Sequence, residues 1–429
     1  MNVTSSNVET MKRPDQAVIL AGGRGTRLLP LTATRPKPMV EFHGRPFLEY
    51  LIDQLREQGF TRILLLLGYL PEVIRDHFGD GSRFGVSIEY SVTEVDDDTG
   101  TRLRAAKDRI DPLFLFLYCD NYVPFSFADM WTVWRHENPS ALVTVYANED
   151  DYTKSNLIVG GDGRIVVYDK TRKHPGLKGV DIGYMLAKRQ ILELLPAGNV
   201  SFESTVYPQL VESGELHAYV ISHRYYSVGD HRRLPLTDEF LRRRPTVLLD
   251  RDGVLNEKMP RGEYVRNWQE WTWRPHALEA VRLLTEHGFR LIVITNQAGI
   301  ARKAMSEADL EAVHAHMLSD VKAAGGQIDA IYHCPHGWDD GCSCRKPAPG
   351  MLYAAQRDFQ LDLTRCLYIG DDERDLRAAT AASCPFQYVT PDRSLLDIAR
   401  SLTANRSGNE INLRTGQVAD HGAAKCVSC

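Results

Sequence analysis

Runs of apolar residues alternate with amphipathic stretches along this chain, and they do so in two successive series. In the first, "AVILAG" (17–22) reads as a buried strand and "FLEYLIDQLREQG" (47–59) as a helix stopped by Gly59. "RILLLLG" (62–68) reads as the next strand, and "LFLFLYCDN" (113–121) as another with polar residues at its C-terminal end. The second series runs "TVLLD" (246–250), "RLIVITN" (290–296), "AIYHCP" (330–335) and "CLYIGDD" (366–372). Apolar runs separated by amphipathic helices predict parallel sheets covered on both faces, so the expected class is α/β. The basic segment "FLRRRP" (240–245) separates the series. The expected division is a flexible start (1–15), a first domain (16–241), a linker (242–245), a second domain (246–400) and a disordered tail (401–429). The tail is rich in Asn, Gly, Ser and Thr and poor in large apolar residues.

Composition narrows the class without changing it. The 429 residues are 43% hydrophobic and 25% charged, as in a globular protein of two or three domains. A formal net charge of -5 speaks against nucleic acid or an anionic membrane as partner. The longest apolar run, near 63–68, is too short to span a bilayer, and the polar start "MNVTSSNVETMKRPDQ" has no signal-peptide core. Of the eight cysteines, Cys119, Cys366 and Cys384 fall in or near strand-like segments and three others sit in a metal-type cluster. That usage predicts a reducing cytoplasm rather than a disulfide framework. The ending "CVSC" has the form of a prenylation box, a pattern short enough to arise by chance. Nothing in the pattern speaks to oligomeric state.

The second series places carboxylates at strand ends, where open α/β sheets do their chemistry. Asp250 ends one strand and Asp252 follows; Thr295 and Asn296 end the next; Asp371 and Asp372 end a third. Lys346 follows a cysteine-bearing loop. A carboxylate attacking a phosphate dianion needs Mg²⁺ and a lysine to neutralise charge. Asp250 is the expected nucleophile, forming an aspartyl-phosphate, and Asp252 the expected general acid and base. Asp250, Asp252, Asp371 and Asp372 are the expected Mg²⁺ ligands, with Thr295, Asn296, Arg345 and Lys346 holding phosphoryl oxygens. In "CPHGWDDGCSCRKP", Cys334, His336, Cys342 and Cys344 form a C-x-H…C-x-C set. Four such ligands predict a closed, structural Zn²⁺ site beside Arg345 and Lys346.

These motifs, in order, resemble the haloacid dehalogenase superfamily. The cysteine loop and "TNQAGIAR" (295–302) resemble its histidinol-phosphate and D-glycero-D-manno-heptose 1,7-bisphosphate 7-phosphatase group, over about 245–390. The resemblance implies a capless haloacid dehalogenase-like fold with a zinc loop. One departure is Asp372, where heptose enzymes often carry Lys.

In the first series, Gly22, Gly23, Gly25 and Thr26 of "GGRGTRL" let backbone N–H groups approach phosphates, with Arg27 and Lys37 adding positive charge. The loop continues into "LLPLTATRPKPM" and "GRPFLEYLIDQL". The whole run resembles the sugar-1-phosphate nucleotidyltransferases over about 16–241, implying a second Rossmann-like domain. The resemblance implies that Arg27 and Lys37 contact a nucleoside triphosphate, that Asp120 holds a catalytic Mg²⁺, and that Lys170 of "VYDK" meets the sugar phosphate. Glu94 falls in a sugar-contacting segment. Two departures are plain. Ser227 in "YYSVGD" stands where the family has a second Mg²⁺-binding Asp, with Asp230 three residues on. The family's T-G-G segment reads "TGT", followed by Arg102.

Read together, the halves imply consecutive steps on a sugar phosphate: 7-dephosphorylation of a heptose 1,7-bisphosphate, then activation of heptose 1-phosphate by a nucleoside triphosphate. The GTP-dependent form follows from the family resemblance alone. The alternatives are a phosphatase for another sugar phosphate or histidinol phosphate, and a first domain that only binds a nucleotide-sugar.

Overall fold

The protein is described here by a computed structural model covering residues 12–404. The chain divides into two compact units, the first ending at Arg242 and the second beginning at Arg243. Most of the expected flexible start, the tail beyond residue 404 and the "CVSC" ending lie outside the described residues.

The first unit is built on seven strands: β1 (Gln16–Leu20), β2 (Arg62–Leu67), β3 (Ser87–Val92), β4 (Leu113–Tyr118), β5 (Ala141–Tyr146), β6 (Val180–Lys188) and β7 (Leu216–Ile221). They lie side by side in the order β7-β5-β6-β4-β1-β2-β3. Apolar residues are unbroken along β1 because both its faces are covered. Ala17 and Ile19 pack into one apolar cluster, and Val18 and Leu20 into another on the opposite face. Parallel pairing of β1 with β4 sets Leu20 beside Tyr118. The loop that starts at Gly22 and the residues after Tyr118 therefore leave the sheet at one edge.

The sheet is not wholly parallel, as the apolar runs suggested. Strand β6 is antiparallel to both β4 and β5. Between β5 and β6 the chain makes a small hairpin, Leu157–Val159 against Ile165–Tyr168, and no crossover helix. A parallel return needs a long crossover, so this connection brings the next strand back in the opposite sense.

The second unit carries an all-parallel sheet of five strands: β8 (Thr246–Leu249), β9 (Arg290–Asn296), β10 (Ala330–Cys334), β11 (Leu367–Gly370) and β12 (Phe386–Tyr388), in the order β10-β9-β8-β11-β12. Leu249 pairs with Val293 on one side and Ile369 on the other, so Asp250, Thr295 and Asp371 emerge from neighbouring strand ends. Between β8 and β9 stand a loop, one short 3₁₀ turn and the helix Ala277–Glu286, with no further layer among the described residues. The expected tail begins too early. The helix Leu395–Ala404 runs through residues 401–404, because Leu395, Leu396, Ile398, Ala399 and Leu402 form one buried stripe in the core.

Candidate active sites

In the second unit, the expected residues gather around a cavity of about 1070 Å³. Asp250, Asp252, Thr295, Asn296, Arg345, Lys346 and Asp372 line it. Lys346 is its buried centre. Its Nζ donates to Asp250 Oδ1 at 2.8 Å, to Ile294 O at 3.0 Å and to Tyr368 OH at 2.9 Å, and pairs with Asp375 Oδ1 at 2.6 Å. Asn296 clamps the backbone of this lysine. Its Nδ2 donates to Lys346 O at 3.1 Å and its Oδ1 accepts from Lys346 N at 3.0 Å. Asn296 thus fixes Lys346, and the second N–H of its amide stays available to the cavity it lines.

The carboxylates divide into separate roles. Ligand atoms of Asp250, Asp371 and Asp375 lie within 4.8 Å of one another. Asp375 was missed from sequence because the reading stopped at the strand end. It lies four residues past Asp371, in the first turn of the helix Glu373–Ala381, where an acidic residue reads as an ordinary cap. Asp372, expected among the metal ligands, is instead the N-cap of that helix. It accepts from Arg374 N and pairs with the Arg374 and Lys258 side chains. The Asp252 carboxylate also stands outside the trio. It accepts from Asn256 Nδ2 at 2.9 Å, Arg251 Nη2 at 3.0 Å and Gln297 Nε2 at 2.9 Å.

Electrostatics follow from this partition. Burial and the adjacent Asp375 carboxylate push the Asp250 carboxyl well above its ordinary value, although Lys346 pulls the other way. Burial likewise raises Asp371, and its buried Oδ1 has no hydrogen-bond partner. Three crowded carboxylates and an orphaned oxygen fit a divalent oxygen-loving cation such as Mg²⁺. Asp252 is different. Burial would raise it, but the Arg251 guanidinium and the bonds from Asn256, Arg251 and Gln297 prevail and hold it below the usual range.

Beside this site, Cys334, His336, Cys342 and Cys344 bring four ligand atoms together. Cys334 Sγ lies 3.7 Å from Cys342 Sγ and 3.3 Å from Cys344 Sγ, and His336 Nδ1 lies 3.2 Å from Cys344 Sγ. Tetrahedral zinc with its usual bond lengths sets ligands about 3.5–3.8 Å apart. Cys334 to Cys342, Cys342 to Cys344 and Cys334 to His336, at 3.5–3.7 Å, match that spacing, and Cys344 sits about 0.3 Å closer to Cys334 and His336, so the donor set suits such an ion.

In the first unit, Gly22, Gly23, Gly25, Thr26, Arg27, Lys37 and Asp120 line a cavity of about 340 Å³. Gly25 has φ +66°, and a side chain there would press on Lys37. Lys37 Nζ pairs with Asp120 Oδ2 at 2.5 Å. Glu94 and Lys170 do not join these residues. The Glu94 side chain is exposed, and Lys170 Nζ pairs with Glu203 Oε2 at 2.9 Å. Ser227 pairs with Asn121 across a short ladder and is buried, whereas Asp230 lines a separate cavity with Tyr152, Arg172, Arg232 and Arg233.

The nucleotidyl transferase family matches residues 16–234, about half of the chain, and haloacid dehalogenase-like hydrolases match residues 200–383. The second match is sharpened by D-glycero-beta-D-manno-heptose-1,7-bisphosphate 7-phosphatase of Pseudomonas aeruginosa, 43% identical over 159 residues, which are 37% of this chain and 88% of that one. The chain belongs to both families. Among solved structures, a Bordetella bronchiseptica D,D-heptose 1,7-bisphosphate phosphatase complexed with magnesium and phosphate is 34% identical, covers 38% of this chain and 99% of its own, and has a TM-score of 0.36. HddC from Yersinia pseudotuberculosis is 24% identical, covers 53% of this chain and all of its own, and has a TM-score of 0.47. Both families comprise enzymes, so the chain pairs a phosphatase unit with a nucleotidyltransferase unit. No helix among the described residues is long and apolar enough to cross a membrane.

Proposed function

We propose that the protein is a bifunctional enzyme that removes the 7-phosphate of a D-glycero-D-manno-heptose 1,7-bisphosphate and then joins the heptose 1-phosphate to a nucleotide. One observation carries this reading: the two sites share a chain, and the product of the first reaction is the acceptor of the second. Histidinol phosphate offers no such second step.

In the phosphatase site, an Asp250 carboxylate oxygen attacks phosphorus as the bond to the sugar oxygen breaks. Asp252, ionised in the free site, takes up a proton as the substrate phosphate binds and passes it to the departing oxygen; it then takes one from the water that attacks the aspartyl-phosphate and releases phosphate. The Lys346 ammonium holds Asp250 in place and neutralises charge. Mg²⁺ held by Asp250, Asp371 and Asp375 would lower the repulsion between the carboxylate and the phosphate dianion. The four-ligand loop would hold a structural Zn²⁺ and so fix the segment that carries Arg345 and Lys346.

In the transferase site, an oxygen of the sugar 1-phosphate attacks the α-phosphorus of the triphosphate and pyrophosphate leaves. Arg27, Lys37 and the glycine loop neutralise and orient the triphosphate. Asp120 would meet the Mg²⁺ that accompanies it. Ser227 stands where the family has a second carboxylate, so Asp120, paired with Lys37, would act without that partner, and Mg²⁺ needs only one or two protein carboxylates. Ser227 also favours the second reading, a first unit that binds a nucleotide-sugar without turnover.

Pyrophosphate release from heptose 1-phosphate and GTP separates them. Release that disappears in Asp120→Ala supports the enzyme. Tight nucleotide-sugar binding with no release supports the binding module.

A further inference from the structure

The nucleotide cavity of the first unit is lined by groups of both signs. Arg27, Lys37 and the glycine loop supply positive charge and backbone N–H groups. Val95, Asp97, Asp98, Thr99 and Arg102 also line the cavity. Arg27 and Lys37 attract a triphosphate, whereas the carboxylates of Asp97 and Asp98 repel it and suit the uncharged nucleoside instead.

Three aspartates follow one another at 96–98, and their surroundings set them apart. Asp96 pairs with Arg24 at 3.1 Å and does not line the cavity. Asp98 caps the helix Thr99–Ala105, its Oδ1 accepting from Thr99 N at 2.7 Å. Asp97 closes a turn. Its N donates to Glu94 O at 3.1 Å and its Oδ2 accepts from Glu94 N at 3.0 Å. No other hydrogen bond engages the Asp97 carboxylate among the described residues.

Arg102 holds this turn still. It is 3% exposed, and its Nη2 donates to Glu94 O at 2.9 Å and Val95 O at 3.1 Å. Its Nη1 donates to Leu67 O at 2.8 Å and Thr93 Oγ1 at 2.7 Å. A methyl group at Gly22 or Gly68 would collide with the guanidinium, so the glycine loop and the end of β2 are packed on it. The turn, β2 and the glycine loop are thereby tied into one frame.

We propose that Asp97 reads the nucleobase and selects guanine, with Arg102 as the positioning residue for its turn. The proposal rests on the transferase reading and names its nucleotide. An ionised carboxylate only accepts hydrogen bonds. Guanine alone among the common bases presents two adjacent donors, N1–H and the N2 amine, which one carboxylate accepts side by side. Uracil and thymine offer one N–H flanked by carbonyls that the carboxylate repels. Adenine and cytosine offer one amine beside an acceptor.

The test uses the full chain and compares GTP with inosine triphosphate, which lacks only the N2 amine. Wild type is expected to bind GTP about tenfold to a hundredfold more tightly, the loss typical of one charge-assisted hydrogen bond. Asp97→Asn is expected to erase that preference and to gain affinity for xanthosine triphosphate, while phosphate release by the second unit is unchanged. Arg102→Lys is expected to weaken the GTP preference without changing KM for heptose 1-phosphate, with a melting curve reporting folding separately. Equal binding of GTP and inosine triphosphate by wild type overturns the proposal, as does a preference that survives in Asp97→Asn. Discrimination only against 2′-deoxy-GTP also overturns it, since the carboxylate then reads the ribose. Selective GTP binding with no pyrophosphate release removes the transferase reading and leaves the base assignment standing.

Discussion

At the scale of single residues, the second unit separates groups that look alike in sequence. Asp250, Asp371 and Asp375 crowd one point, while Asp252 is held by Arg251, Asn256 and Gln297. Asp250→Asn keeps the shape of the side chain and removes its nucleophilicity, so phosphate release from heptose 1,7-bisphosphate should fall at least about a thousandfold. Pyrophosphate release from heptose 1-phosphate and GTP should be unaffected, and a loss of both would remove this assignment. Asp375→Asn deletes a charge that pairs with Lys346 and belongs to the trio. Phosphatase activity should drop about tenfold to a hundredfold, the usual cost of disturbing a metal's surroundings, and recover in part at high Mg²⁺. Activity that ignores Mg²⁺ concentration in that variant would take Asp375 out of the site. Asp371 was legible because it ends an apolar strand. Asp375 was not, because a polar residue in a helix's first turn looks like an ordinary cap.

At the scale of elements, burial does little for the loop of Cys334, His336, Cys342 and Cys344, since His336 is exposed and Cys342 and Cys344 are half-buried, so ligation would be what holds it together. Purified protein should contain about one zinc per chain. Cys342→Ser should release it and lower the melting temperature of the second unit by about 5 °C or more, because metal binding is folding energy. Zinc-free wild type of full stability and activity would show that the cluster is incidental. The helix Leu395–Ala404 makes the opposite case, as it is held mainly by apolar contact, with one exposed ion pair from Arg400 to Glu279 at 3.3 Å. Leu402 is 7% exposed, and Leu402→Ala should destabilise the second unit by about 2–3 kcal/mol in urea unfolding. A change below about 0.5 kcal/mol would mean that the helix is not docked as described. Its stripe was hard to read because it ends where the sequence turns to Asn, Gly and Ser.

At the scale of the whole molecule, the proposed function makes the two units a reaction sequence that neither would complete alone. Given heptose 1,7-bisphosphate and GTP, wild type should release phosphate first and pyrophosphate after a lag. Asp250→Asn and Asp120→Ala should each block nucleotide-sugar formation, and a mixture of the two should restore it through free heptose 1-phosphate. A mixture that stays inactive would break the link between the reactions. The sequence by itself determined the class, the split near "FLRRRP" and most of the candidate chemistry. Apolar runs and strand-end motifs are local, and both survive being read one segment at a time. Only the tertiary structure decided the sense of β6, which depends on a hairpin where a crossover was expected. It also decided which carboxylates share a cation-sized space, and that Asp120 faces Lys37 while Asp230 lines another cavity. Those outcomes turn on distances between residues far apart in the chain, and on which donors reach a carboxylate first. No spacing along a single strand or helix encodes either.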